Sequence, residues 1–178
     1  TPCIKYNGLK LVKALKAAHP DKKILVDLKT MDAGEYEATP FFEAGGDITT
    51  VLGASDMATM KGVIKAANAN NAEAQIDLIG VEDKSAVAKQ AAANGAHIIG
   101  VHTGLDAQAA GQTPFEDLKT IAGLGLNVKV SVAGGINKDT IQSTVRAGAD
   151  IVVVGAAIYG APSPAESAKE LRALVDAA

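Results

Sequence analysis

Six short apolar runs recur along the chain, KILVDL, DITTVL, AQIDLI, HIIGV, VKVSVA and DIVVV, starting near residues 23, 47, 74, 97, 128 and 150. Their near-continuous hydrophobicity predicts parallel strands covered by helices, because a sheet face in water would alternate apolar with polar residues. The segments between them switch to helical spacing. Leu9, Val12 and Leu15 share a face of a helix from about Asn7 to Ala18, and Met57, Met60 and Ile64 share a face of another. Thr113-Pro114-Phe115-Glu116 and Ser163-Pro164-Ala165-Glu166 read as helix starts, with an N-cap residue, proline at N1 and an acid at N3. The phrases AGGD, NGAH and AGAD close helices with glycine and lead into the next strand.

No Pro-rich or charged linker interrupts this alternation, so residues 1–178 are expected to form one α/β domain. An apolar fraction of 48% with 21% charged residues suits a compact core, and a net charge of -3 with scattered basic residues argues against a nucleic-acid groove or a basic membrane face. A single cysteine, Cys3, excludes an intrachain disulfide and a paired CxxC metal motif, which points to a reducing, cytoplasmic setting. No apolar segment is long enough to span a bilayer, and TPCIKYNGLK lacks the order of a secretory signal. Two architectures accommodate the pattern, a doubly wound sheet and a (β/α)8 TIM barrel. A closed barrel takes eight strands and roughly 250 residues, so the barrel reading has this chain starting after two strands and their intervening helix.

The strand VDLK carries the first chemistry. Alternation puts Leu25, Asp27 and Lys29 on one side and Val26 and Leu28 on the other. Burying either charge alone is costly, so the pair is either a strand-end salt bridge or part of a site. Asp32 adds a carboxylate three residues past Lys29, suited to capping the next helix. A lysine held among carboxylates stays cationic and can steady an anionic intermediate, while the acids bind metal or orient substrate hydroxyls. Asp77 interrupts a later strand and His102 follows another, where its proton-exchange chemistry would serve. His19 and His97 suit structural roles. Gly134, Gly135 and Gly155 follow the last two strands, the usual barrel position for a phosphate, although neither GxGxxG nor GxxxxGK[ST] occurs.

Taken in order, VDLKTMDAG, QIDLIG, GVHTGLDAQAAG, SVAGGI and VVVGAAIYG resemble the 3-hexulose-6-phosphate synthases, compact (β/α)8 barrels grouped with orotidine-phosphate and 3-keto-L-gulonate-6-phosphate decarboxylases. The resemblance covers essentially the whole chain. It implies a Mg2+-dependent enzyme, with Mn2+ as a possible substitute, that condenses formaldehyde with D-ribulose 5-phosphate through a 1,2-enediolate. It implies Asp27 as a metal ligand, Lys29 and Asp32 at the enediolate, Asp77 at substrate or the metal shell, and His102 in proton transfer. Gly134, Gly135, Gly155 and Ala156 would hold the phosphate. Related decarboxylases carry arginine at Ala156 and immediately after His102, which favours the synthase over a decarboxylase; a noncatalytic sugar-phosphate binding domain is the reading from a different class. The family also implies a strand-one Asp and a strand-two Glu upstream of Thr1, and a homodimer in which the Asp32 region reaches across the interface. Met31, Tyr36 and Phe41 would line that contact or pack in the core.

Overall fold

The structure, a computed structural model, describes residues 1–178. Its elements run α1 (Pro2–Asn7), α2 (Leu9–Ala18), β1 (Leu25–Thr30), α3 (Gly34–Glu43), β2 (Ile48–Leu52), α4 (Met57–Ala69), β3 (Glu73–Asp77), α5 (Lys84–Ala93) and β4 (Ile98–His102). There follow α6 (Leu105–Ala109), α7 (Phe115–Gly123), β5 (Lys129–Ala133), α8 (Ile141–Arg146), β6 (Ile151–Val153), α9 (Ala156–Tyr159) and α10 (Pro164–Asp176). All six expected strands are present. Their order in the sheet is the order in the chain, which is the arrangement of a partial (β/α)8 barrel. No helix is long and apolar enough to cross a membrane.

The chain forms two compact units, Thr1–Ile99 and Gly100–Ala178, with the boundary inside β4. In the first, β1 pairs in parallel with β2 and β2 with β3. Ile4, Val12, Val26 and Ala44 make a buried cluster with Leu11, Ile24, Leu28 and Phe41 against it. Phe41 therefore packs in the core, whereas Met31 and Tyr36 are exposed. In the second unit β5 pairs in parallel with β6, over buried Leu118, Ile121, Ile141 and Leu171.

The three glycine phrases do more than end helices. Gly45, Gly95 and Gly148 each adopt positive φ, and the residue two places on reaches back to the base of the preceding strand. Asp47 accepts the Ile24 N–H at 2.7 Å, His97 Nδ1 the Ala74 N–H at 3.1 Å, and Asp150 the Val130 N–H at 2.7 Å. Each bond satisfies a backbone donor within a residue of a strand's start, which water would otherwise have to solvate. His97 is thus a bracket in the scaffold, its other ring nitrogen 3.1 Å from Asn68 Oδ1.

Three local expectations need correcting. The helix expected from about Asn7 is interrupted at Gly8, whose φ of 57° and ψ of -151° are not helical, so α2 starts at Leu9. Of its stripe only Val12 is buried, and Leu9 and Leu15 are exposed. Helix α7 begins one residue later than its motif suggests, with Pro114 rather than Thr113 at the N-cap. The Ser163-Pro164 start of α10 is as expected, although the serine side chain makes no capping bond.

Candidate active site

Strand β1 is irregular where its charges lie. From Val26 to Thr30 it advances four residues while β2 advances two, from Thr49 to Val51, and Lys29 takes a positive φ of 50°. This bulge re-aims side chains at the strand end. Lys29 Nζ lies 2.9 Å from both Asp27 oxygens and 3.0 Å from Asp77 Oδ2. The lysine of the sequence motif does sit between carboxylates, and the second one is Asp77. Asp32 is exposed in the following loop. It is not the N-cap of α3, a position held by Ala33, and its Oδ1 accepts the Ala33 N–H at 2.7 Å.

Asp77 is almost wholly buried at the end of β3, with Oδ1 accepting the Ile79 N–H at 3.0 Å. Asp27 accepts from the Thr50 hydroxyl at 2.8 Å and from the Thr1 hydroxyl, and its Oδ2 lies 3.2 Å from the Thr1 amino nitrogen. Burial pushes the Asp27 carboxyl up, but the bonds from Thr1 and Lys29 and the Lys29 charge outweigh it and hold the group well below the usual carboxylate range. Burial likewise pulls Lys29 down, and Asp77 and Asp27 together more than reverse it, leaving the ammonium above its ordinary value. Across neutral pH the site therefore holds a fixed Lys29 cation against an ionised Asp27, with the Asp77 carboxyl 3.0 Å from the ammonium. Thr50, inside the apolar-looking DITTVL, escaped the sequence reading because a strand threonine is usually only a β-former.

No three His, Cys, Asp or Glu side chains come together as a metal cage. Mg2+ typically takes one or two carboxylates and fills its other positions with water and substrate oxygens. Asp27 suits such an anchor: it is held anionic and its side chain is partly exposed.

In the second unit His102 is the last residue of β4 and half-buried. After β5, Gly134 has a φ of 121°, and a Cβ there would lie 2.5 Å from the Thr103 carbonyl oxygen. Gln108 pins the same carbonyl, its Nε2 donating at 2.7 Å. Gly135 also adopts positive φ, and Gly155 caps α9, of which Ala156 is the first residue. Both glycine turns thus leave backbone where side chains would otherwise stand, as an anion cradle needs.

Comparison with known proteins identifies the family. A 3-hexulose-6-phosphate synthase of Methylomonas aminofaciens is 63% identical over 174 residues, 98% of this chain and 83% of the relative. One of Mycobacterium gastri is 48% identical over 177 residues, 98% of this chain and 84% of the relative. The crystal structure of 3-hexulose-6-phosphate synthase from Salmonella typhimurium superposes with a TM-score of 0.96 at 37% identity, over 99% of this chain and 84% of that one. Residues 1–171 match the profile of the orotidine 5'-phosphate decarboxylase / HUMPS family, and the chain belongs to that family.

Proposed function

We propose that the chain is a 3-hexulose-6-phosphate synthase, an aldehyde-lyase that joins formaldehyde to C1 of D-ribulose 5-phosphate. The observation that carries this reading is the Lys29 ammonium fixed between Asp27 and the buried Asp77, beside the shared names of relatives up to 63% identical. Such a cation, partly shielded from bulk water and already oriented, lowers the energy of an enediolate more than that of the neutral ketose, which is what accelerates the step. Asp27 would hold a divalent ion, Mg2+ or Mn2+, whose Lewis acidity polarises the C2 carbonyl and makes a C1 proton easier to remove.

The chain's own groups divide the remaining work. His102 takes the C1 proton; the C1 carbon of the enediolate attacks formaldehyde, its electron pair forming the new carbon–carbon bond; the formaldehyde oxygen receives a proton, returned by the imidazolium or by water. Asp77 fixes Lys29 and faces the substrate hydroxyls. Backbone N–H groups at Gly134, Gly135, Gly155 and Ala156 take the phosphate, without an arginine at Ala156. Asp32 would act from one copy of a homodimer on its partner's site, a role supported by its exposure and by the exposed Met31 and Tyr36 near it. The substrates and a cytoplasmic setting agree with one another.

The test is to incubate the intact protein with Mg2+, D-ribulose 5-phosphate and formaldehyde. Equimolar consumption of both, abolished by EDTA, is expected. Release of CO2 from 3-keto-L-gulonate 6-phosphate in place of that reaction would make it a decarboxylase, and sugar-phosphate binding without turnover would make it a binding domain.

A further inference from the structure

Thr50 lies opposite the β1 bulge, only 1% exposed, and its single hydroxyl is fully committed. It accepts the Lys29 N–H at 2.9 Å and donates to Asp27 Oδ1 at 2.8 Å. A hydroxyl has one proton to give, so these two bonds are complementary uses of the same group. Adjacent strand threonines behave differently: the buried hydroxyls of Thr30 and Thr49 have no hydrogen-bond partner. The pairing at Thr50 is therefore specific to its place.

That place is where the sheet ladder cannot serve β1. The register shift between Val26 and Thr30 removes the regular backbone acceptor for Lys29. A positive φ in a long L-residue is uncommon and persists only where the surroundings hold it. We infer that Thr50 is a positioning residue for the Lys29 cation: its hydroxyl stands in for the missing ladder acceptor, stabilises the left-handed Lys29 backbone, and orients Asp27 so that Nζ spans Asp27 and Asp77. Valine has the same shape without the hydroxyl. In Thr50→Val the part-buried Lys29 N–H loses its acceptor and Asp27 loses a donor on the same atom, so the bulge relaxes and Nζ shifts from the position that faces the enediolate.

The turnover readout rests on the synthase reading, whereas the backbone readout does not. In the intact protein, T50V is expected to lower kcat about 30-fold, roughly 2 kcal/mol of transition-state stabilisation, with KM for D-ribulose 5-phosphate within threefold because the phosphate turns are untouched. Hydrogen exchange of the Lys29 amide, followed by NMR, is expected to speed up at least tenfold. T50S, which keeps the hydroxyl, restores both to within threefold of wild type. Wild-type kcat and Lys29 protection in T50V would overturn the inference, as would a loss in T50S equal to that in T50V. Should T50V fail to fold, T50S and T50A decide: at least a tenfold kcat advantage for serine supports the role, and equal values overturn it. If the wild type shows no synthase turnover, that functional reading falls while amide exchange still decides the part played by Thr50.

Discussion

Replacing Lys29 by methionine keeps the length of the side chain and removes the charge that Asp27 and Asp77 share. At 3.0 Å and an effective dielectric of about 20, each carboxylate attracts the ammonium by ~5 kcal/mol before desolvation is subtracted. Desolvating three charges offsets most of that gain, so the informative quantity is what the variant leaves behind. Asp27 keeps Thr50 and an opening to solvent. Asp77, with a side chain 3% exposed, loses its 3.0 Å ion pair and retains the Ile79 N–H. Breaking a buried ion pair by removing one partner costs about 3–5 kcal/mol. The loss has a diagnostic pH dependence. In the wild type, Asp27 is lowered from 3.8, so its contribution is present above that value and vanishes only as pH falls through the lowered one. Lys29 is raised from 10.5, so its contribution is present below that value and vanishes as pH rises through the raised one. Neither titrates between pH 5 and 8. In K29M both carboxylates lose the cation that favours their charged forms, so the destabilisation shrinks as pH falls, by at most ~1.4 kcal/mol per pH unit. Urea unfolding of both proteins at pH 8 and pH 5 measures this. A loss below about 1 kcal/mol at pH 8, or one equal at the two pH values, refutes the reasoning.

Gly34→Ala puts a Cβ 2.1 Å from the Thr59 carbonyl oxygen, where α3 rests on α4, and is expected to cost about 3 kcal/mol in urea unfolding; a cost under 1 kcal/mol would show that the two helices can separate freely. Gly134→Ala meets both a φ of 121° and the Thr103 carbonyl, so sugar-phosphate affinity measured by calorimetry is expected to fall at least about tenfold; unchanged affinity would remove that turn from the phosphate site. His102→Ala is expected to lower kcat by about 100-fold or more while KM for D-ribulose 5-phosphate stays near wild type. An unaltered kcat would require another base.

Much of the fold was legible because its signals are local. Apolar runs of strand length, helical spacing such as Met60 with Ile64, and the glycines at 45, 95 and 148 each state their element without reference to distant chain. Part of the candidate site was legible for a related reason, since charges in an otherwise buried strand demand partners and so flag Asp27, Lys29 and Asp77. The Leu9 and Leu15 stripe misled because periodicity gives the face of a helix but not what covers it. Asp32 looked like a cap because capping chemistry is common after a strand, yet the left-handed Ala33 takes that position.

By itself the sequence determined six strands with helices between them, the closing glycines, and a lysine that needed counter-charges. The tertiary structure decided which groups supply them: Asp77 from β3 beside Asp27, with the Thr50 hydroxyl beneath, and Asp32 outside in the loop. The physical reason is the register of β1 against β2. A shift of two residues and one left-handed backbone bring Nζ between carboxylates 50 positions apart in sequence, and strand register is set by pairing with a neighbour rather than by the strand's own residues.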